Sequence, residues 1–346
     1  MLIIRPISEG DYPALLNIAQ ESGIGFTSLP VNEELLLKKI KAANTAFSSK
    51  PEKPGQQSYL FVMEDTDTGE VVGTSGIEAT VGLHDAFYHY HVGKVVHASR
   101  ELGVHNTVEI LTFCNDYTGV SEICTLFLKE NARKGQAGRL LSKFRFLFMA
   151  QHRQRFSNTV IAEMRGVSDE SGKSPFWDWL ERNFFSVDFP TADYLTGIGN
   201  KVFIAELMPK YPIYVNLLSK EAQSCIGKVH DKTRPALRLL EQEGFRSRGY
   251  VDIFDAGPTV EADLSNISTV RNSKSLRVTI DDSPHFADAN QYFVINDKIE
   301  GFRACVAPVV VRASNDALIS TETAAALEIE SGSKVRIAPC TPTLFP

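Results

Sequence analysis

The sequence predicts an α+β protein that contains more than one structural unit. Its 346 residues exceed what one ordinary core accommodates. Segments with an apolar helical face alternate with short apolar strands up to about residue 270, which indicates sheets flanked by helices. From about residue 275 short strands dominate, so we expect a small, β-rich, β-barrel-like module at 271–346.

The first third begins with a strand and two helices and continues with a hairpin. Ser8, with Asp11 three residues later, is an acidic variant of a helix capping box. The turn of the hairpin lies around Asp67–Gly69, between two apolar runs. The predicted elements are a strand at 2–7, helices at 11–22 and 32–48, and the hairpin at 59–82.

The rest of the chain alternates between segments with the periodicity of a helix and segments with that of a strand. Ser174 and Pro175 provide the N-cap and first turn of an aromatic-rich helix, and Gly244 closes a later helix. The stretch HYH at 89–91 is interpreted as a loop. Strands are predicted at 107–115, 121–128, 159–166, 201–208, 249–258, 276–280, 291–296, 302–313, 317–320 and 334–339, and helices at 133–152, 174–185, 235–244 and 321–329.

Composition narrows the class of protein. A net charge of −6 offers no basic excess for nucleic acid or an anionic membrane, and no run of 18 apolar residues occurs. The N-terminus does not resemble a signal peptide. Five scattered cysteines without a CxxC pair favour reduced thiols in the cytoplasm over disulfides or zinc. HYH is the nearest approach to a metal motif, and we expect no metal.

A basic, glycine-containing loop opens the long helix at 133–152. Gly135 and Gly138 allow backbone N–H groups to converge, and the helix N-terminus adds a positive dipole. Arg133, Lys134 and Arg139 add charge. The loop is therefore a candidate pyrophosphate cradle, although such residues are also common at ordinary helix starts.

His230 stands in CIGKVHDKTRP, between Gly227 and Pro235, just ahead of a helix. The residues alone are compatible with a solvated loop histidine and with a catalytic one.

The order of elements, the loop and the ending ALRLLEQEGF resemble the GNAT acyl-CoA N-acyltransferases. Their loop reads Q/R-x-x-G-x-G/A; here Arg133 and Gly138 match, and Gln136 occupies the position of the middle glycine. The motifs SGIGFTSLP, NDYTGVSEICTLFL, AEMRGVSDESGKSPFWDWLERNFFSVDF, IGKVH and GYVDIFDAGPTVEA are similar to the arginine N-succinyltransferase family. This similarity runs from residue 2 to about 262, and more loosely to about 338.

The resemblance implies transfer of a succinyl group from succinyl-CoA, a co-substrate, to the α-amino group of L-arginine, with no permanently bound cofactor. It implies duplicated GNAT-like mixed sheets, with halves at 1–120 and 121–270 and the second half holding succinyl-CoA. It also implies that His230 is the proton donor and that Leu126 contacts succinyl-CoA. Imidazole suits protonation of a leaving thiolate near neutral pH.

The sequence leaves several candidates for the residues that bind arginine. Glu163, Asp169 or Glu170 could pair with the guanidinium, and Glu122 is a candidate general base by analogy. Arg165 and Arg139 are candidates for the succinyl carboxylate. Asp252 and Asp255 alternate at a strand end near the proposed succinyl-CoA site, and Asp255 is interpreted mainly as a turn former before Gly257 and Pro258. Cys124 is interpreted as a small buried thiol. Five aromatic residues are interpreted as core or wall rather than a ligand cage: Phe176, Trp177, Trp179, Phe184 and Phe185.

Two other functions stay open from the sequence. The enzyme could prefer ornithine or accept both amino acids. It could also be a silent acyl-CoA-binding subunit of a heteromeric enzyme, because Gln136 departs from the loop pattern. We expect a homo-oligomer or a hetero-oligomer of related subunits.

Overall fold

The structure is a computed structural model that describes residues 1–23, 28–169, 172–200, 202–282, 286, 289–312 and 316–341. Its helices are α1 (Tyr12–Ser22), α2 (Glu33–Ser48), α3 (Ala137–Gln151), α4 (Pro175–Phe184), α5 (Phe189–Gly197), α6 (Val202–Leu207), α7 (Lys220–Cys225), α8 (Arg234–Glu243), α9 (Ser268–Arg271) and α10 (Thr321–Leu327). None of these described helices is long and apolar enough to cross a membrane.

The strands form one continuous sheet within the described ranges. They are β1 (Leu2–Pro6), β2 (Ser58–Asp65), β3 (Glu70–Glu78), β4 (His89–Ser99), β5 (Val104–Cys114), β6 (Ser121–Leu128), β7 (Thr159–Glu163), β8 (Ile213–Tyr214), β9 (Arg246–Val251), β10 (Pro258–Asp263), β11 (Lys274–Ile280), β12 (Gln291–Asn296), β13 (Ala304–Pro308), β14 (Val310–Val311), β15 (Asp316–Ile319) and β16 (Lys334–Pro339). Their order is β14-β15-β11-β16-β12-β13-β1-β2-β3-β6-β7-β10-β9-β4-β5-β8.

The central strands confirm the predicted α+β, GNAT-like fold. Most neighbours are antiparallel, but β6 and β7 are parallel, with α3 as the crossover between them. The C-terminal strands β11–β16 confirm the β-rich module, and β13 joins it to the rest by pairing with β1.

An aromatic core fixes α3 and α2 on the sheet. Phe61 of β2 makes edge-on contacts with Phe47, Phe144 and Phe148, and also with Phe302 near the C-terminal module. This core holds side chains from both sides of residue 120. The division at 120 and 270 stays a prediction, since β3 and β6 pair across the first boundary within one sheet.

The predicted helix ends are confirmed where a single residue determines the backbone conformation. Ser8 and Asp11 form the expected capping box, with the Asp11 carboxylate accepting from the Ser8 N–H at 2.7 Å. Gly244 ends α8 in the left-handed region, at φ 103°.

Three predicted segments are wrong. HYH at 89–91 begins β4 rather than a loop, because its bulky rings pack on a pleated surface. The strand predicted at 201–208 is α6 over its described part: Ile204 and Met208 are buried four residues apart, which is helical spacing. The strand predicted at 249–258 ends at Val251, where a turn begins.

Candidate active site

The site lies where β6 and β7 separate. Their register comprises only Ser121↔Val160 and Glu122↔Ile161. Beyond these pairs the strands diverge around a cavity of about 810 Å³, which residues 122–128 line from one side and 162–165 from the other. An open seam between parallel strands leaves backbone groups of β6 facing a space large enough for an extended ligand.

A β-bulge interrupts β6 inside this seam. The register of β6 on β3 shifts between Thr74 and Gly76, and Thr125 adopts φ 54°. A β-branched residue with positive φ is strained, and such strain is held by the surrounding structure. Leu126, the next residue, lines the cavity half-buried. Its contact with succinyl-CoA stays a prediction.

Of the predicted cradle, Arg133 lines the larger cavity, whereas Gly135 and Gly138 are not among its lining residues. Gly135 has φ 56°, which favours glycine, and α3 begins two residues later at Ala137. Gln136, at φ −97°, precedes the helix, so the left-handed turn falls on Gly135. Arg133 lines the cavity, and its Nε donates to the Leu128 carbonyl at 2.9 Å. Gly138 follows in the first turn of α3.

A second, more acidic chamber of about 430 Å³ adjoins the seam. It shares the lining residues Glu122, Cys124, Glu163 and Asp252 with the larger cavity. Glu78 and Asp85 add two carboxylates, whereas Lys39 is the one Lys or Arg side chain in the described lining. This excess of negative charge suits a cationic ligand.

His89 contacts Glu163, one of the residues that line this chamber. It is fully buried beneath Glu163, and Nε2 lies 2.9 Å from Oε1 of Glu163. The ring is not aligned to donate a hydrogen bond to that oxygen. Burial lowers the pKa of His89 to about 4, against the raising effect of Asp252, and the ring is therefore neutral near pH 7.

The turn after β9 fastens the loop that carries His230. Asp255 accepts from the N–H of Gly257 at 2.8 Å and from that of Gly166 at 2.6 Å. A side chain at Gly166 would lie 2.5 Å from Asp255, so this approach requires glycine. Gly166 in turn forms a bridge with Val229. Asp255 is thus the turn former that was expected, and burial raises its pKa.

His230 is not among the residues that line either cavity, but two residues that contact it line the larger one. Its N–H donates to the Arg165 carbonyl at 2.9 Å, and its Nδ1 accepts from the Lys232 N–H at 3.1 Å. Both Arg165 and Lys232 line the cavity. Because Nδ1 is an acceptor, the neutral ring carries its hydrogen on Nε2. Burial, followed by the charges of Arg165 and Lys232, lowers the pKa of His230.

Family models match almost the whole chain. One described as arginine N-succinyltransferase beta subunit covers residues 2–269, and one described as its C-terminal domain covers residues 274–339. The chain belongs to the arginine N-succinyltransferase family. It is therefore an enzyme of the acyltransferase class, as the sequence motifs indicated.

Individual relatives of the arginine N-succinyltransferase family agree along their full length. The arginine N-succinyltransferase subunit beta of Pseudomonas aeruginosa is 46% identical over 338 residues, 98% of each chain. The arginine N-succinyltransferase of Yersinia enterocolitica is 47% identical over 339 residues, 97% of each. Among solved structures, subunit AI of the arginine/ornithine succinyltransferase of Pseudomonas aeruginosa matches with a TM-score of 0.90, 36% identity and 99% coverage of both chains.

Of the remaining candidates for binding the two substrates of this succinyltransferase, some line a cavity and others lie outside both cavities. Glu163 and Arg165 line the larger cavity together, whereas Arg139 is exposed and lies outside both linings. Asp169 caps a loop by accepting from the Lys173 N–H at 2.8 Å, away from both cavities. Glu170 lies outside the described residues.

The structural interpretation holds for Phe176 and Trp177, whereas Phe184 is exposed and Cys124 is half-buried and lines both cavities. Phe176 and Trp177 are fully buried in a second core, where the Trp177 indole donates to the Val187 carbonyl at 2.8 Å. Burial raises the pKa of Cys124, which disfavours the thiolate that an acyl-cysteine would need. Within the described ranges, no group of three side chains suits a metal ion.

Sequence reasoning missed two residues at this site, His89 and Arg145. His89 belonged to the stretch interpreted as a loop. Arg145 was hidden in the run SKFRFLF, where a cation between two phenylalanines on a buried helix was the available signal. It is 2% exposed and lines the larger cavity.

Proposed function

We propose that this chain transfers the succinyl group of succinyl-CoA to the α-amino group of L-arginine. The observation that carries the proposal is the junction of two cavities: an open seam along β6 meets a chamber rich in carboxylates at Glu122 and Glu163. An extended thioester in one cavity and a cationic amine in the other can approach the same point. The names of the relatives support the same pair of substrates.

Succinyl-CoA occupies the larger cavity in this proposal. The pantetheine arm pairs with the free edge of β6 near Leu126, as extended chains add to sheet edges. The pyrophosphate lies at the loop of Arg133, Gly135 and Gly138, where the first N–H groups of α3 and the helix dipole favour an anion. The bulge at Thr125 directs the backbone toward the thioester carbonyl.

L-Arginine occupies the acidic chamber. Its guanidinium pairs with a carboxylate there, with Glu163 as the candidate because it ends β7 beside the seam. Arg165 stands close enough to the cavity to receive a carboxylate group of either substrate. The amine then faces the thioester across Glu122.

The reaction forms a C–N bond and breaks a C–S bond. The neutral amine attacks the thioester carbon, and the tetrahedral intermediate collapses with loss of CoA thiolate. The nitrogen releases one proton, with Glu122 as the candidate acceptor, and the protonated imidazole of His230 supplies one to the sulfur. The contact between Nδ1 and the Lys232 N–H belongs to the neutral ring. The protonated ring carries a hydrogen on both nitrogens, and in this proposal its Nε2–H donates to the sulfur.

A thiol-release assay tests the proposal. Purified protein is incubated with succinyl-CoA and either arginine, ornithine or no amine, and the product is identified by mass. We expect CoA release that depends on arginine, with formation of N2-succinylarginine. A higher kcat/KM for ornithine would change the assigned substrate. Binding of CoA without any thiol release would instead indicate a silent subunit.

We also propose that the chain acts in the cytoplasm and in an oligomer, with copies of itself or with a related subunit. Its cysteines at 114, 124, 225, 305 and 340 are free, which suits a reducing compartment. Two relatives are named as subunits. The β4–β5 hairpin exposes Val96 and Leu102, the latter by 78%. Light scattering on the purified protein, alone and with a related subunit, measures the assembly; a monomer under both conditions contradicts it.

A further inference from the structure

The guanidinium of Arg145 is buried at the narrow end of the seam between β6 and β7. Its Nη1 donates to the carbonyl oxygen of Cys124 at 3.4 Å, two residues beyond the last β6–β7 pair at Glu122. Cys124 immediately precedes the bulge at Thr125. Arg145 also forms part of the lining of the larger cavity, where β6 and β7 diverge.

This buried charge has only neutral partners. Nε donates to the Ser142 carbonyl at 3.1 Å and Nη2 to Ser142 Oγ at 3.4 Å. No ion pair between described residues includes Arg145. By contrast Lys143, two residues earlier on the same helix, pairs with buried Glu243 at 2.8 Å.

The buried guanidinium of Arg145 would be stabilised by a neighbouring anion. Taking a guanidinium out of water is costly unless an opposite charge compensates it, and long bonds to neutral acceptors compensate little. Burial lowers the pKa of Arg145 only to about 10, so the group remains charged near neutral pH. A buried guanidinium that lines a cavity is therefore suited to an anionic ligand.

We propose that Arg145 binds the terminal carboxylate of the succinyl group and thereby selects succinyl-CoA over neutral acyl-CoA esters. The identity of the acyl group rests on the proposed function. A thioester held beside Leu126 places its acyl chain toward the bulge, and a four-carbon acid ends in a carboxylate that a guanidinium fork can bind through two hydrogen bonds.

The cations of the two linings favour the larger cavity. Glu122 and Glu163 line both cavities and repel a carboxylate in either. The described lining of the larger cavity also holds four Arg or Lys side chains, whereas that of the acidic chamber holds Lys39 alone. Arg139 is exposed and outside both linings. Arg165 lines the cavity, but its carbonyl anchors the His230 loop and its Nη2 donates to Ser168 Oγ at 3.0 Å, so it lies toward the leaving sulfur.

The test compares succinyl-CoA with butyryl-CoA, which has the same chain length and no carboxylate. Calorimetric affinities without any amine, and kcat/KM with arginine, are measured for wild type, Arg145→Met and Arg145→Lys. We expect wild type to bind succinyl-CoA at least about tenfold more tightly than butyryl-CoA, and Arg145→Met to lose that preference. Arg145→Lys, which keeps the charge and loses the fork, should retain an intermediate preference.

The control variant is Arg139→Met, on the same helix, which should keep the ratio of succinyl-CoA to butyryl-CoA affinity. Arg165→Met tests the competing cation in the same cavity, and the proposal requires that it keep this ratio as well. The proposal is overturned if Arg145→Met and Arg145→Lys keep the wild-type ratio, or if Arg165→Met removes it. Should Arg145→Met not fold, the Arg145→Lys ratio decides alone.

The binding measurement separates this inference from the proposed function. If wild type prefers succinyl-CoA through Arg145 but releases no CoA with arginine, the carboxylate site stands and the reaction is wrong. If arginine is succinylated while the preference survives both Arg145 substitutions, the reaction stands and the carboxylate site is wrong.

Discussion

Nε2 of His89 lies 2.9 Å from Oε1 of Glu163, so a buried ring at the start of β4 supports the carboxylate that ends β7. The rings of Phe87, Tyr117 and Tyr250 contact His89 in turn. This packing limits the positions that the Glu163 side chain can adopt. Glu163 is therefore held ready at the junction of the two cavities.

Glu163→Gln should weaken arginine binding. Removing the negative charge while keeping the shape should raise KM for arginine about tenfold or more, with KM for succinyl-CoA within about twofold of wild type. Steady-state kinetics with each substrate varied measures both constants. Glu70→Gln, at a surface carboxylate paired with Lys129, is the matched control. An unchanged KM for arginine would remove Glu163 from the substrate site.

His230→Gln should slow the chemical step. Loss of a general acid usually lowers kcat by about 10²–10⁴-fold, and KM should change little. Because the pKa of His230 is lowered, we expect wild-type kcat to decline with rising pH from below the ordinary histidine range, near 6.5. The variant should lack that limb. His105→Gln, on exposed β5, is the control; a kcat for His230→Gln within about threefold of wild type would contradict the role.

Gly135→Ala should strain the loop that opens α3. A methyl group there meets open space, so the cost comes from φ 56° and amounts to about 1–2 kcal/mol of unfolding free energy. Gly135→Asn should cost less, because Asn tolerates this region better. Urea unfolding measures both. Equal stability of the alanine and asparagine variants would show that the backbone at 135 is not constrained as described.

Gly138→Ala separates strain from ligand contact. Gly138 has helical surroundings, and an added methyl group would lie 4.0 Å from Leu128 Cδ2, so stability should be kept or slightly increased. If the pyrophosphate approaches this backbone closely, KM for succinyl-CoA should rise several-fold. The same affinity in Gly138→Ala and wild type, measured by calorimetry, would place the pyrophosphate elsewhere.

His152 should make stability depend on pH. Burial, followed by the charge of Arg155, lowers its pKa to about 4, with a further lowering by Arg336, whereas the unfolded chain titrates near 6.5. The unfolded state therefore binds the extra proton as pH falls from about 6.5 to 4, and stability is lost over that window, by on the order of 2–3 kcal/mol. Above pH 6.5 the effect is absent. Urea unfolding of His152→Gln should show a smaller slope in this window than His105→Gln; equal slopes would contradict it.

The sequence was informative where one residue dictates the backbone, as at Gly135, Gly244 and the Ser8–Asp11 box. It failed where tertiary packing decides. His89 looked like part of a loop because only the partner strand β5 and the rings around it make that stretch a strand. Val202–Leu207 looked like a strand because a short apolar run has no clear period until its neighbours are known.

The candidate site was predictable in its parts but not in its assembly. The motif resemblance singled out His230, and the structure brings its loop next to Arg165 through a backbone hydrogen bond. No spacing in the sequence indicates that Glu122, Glu163 and Asp252 meet at one junction, because that depends on where β6 and β7 part. Arg145 was not predicted because an arginine on an amphipathic helix is normally exposed, and the sequence pattern does not show that this one is buried.

The pairing of β1 has a consequence for synthesis of the chain. Ile3 and Ile4 pair with Cys305 and Ala304, roughly 300 residues further along. While the ribosome is still making the middle of the protein, β1 has β2 on one side and an open edge on the other. Such an edge is a template for pairing with other chains. The nascent protein thus stays vulnerable to aggregation until β13 emerges, and late truncations should yield insoluble product even though every residue of the seam is present.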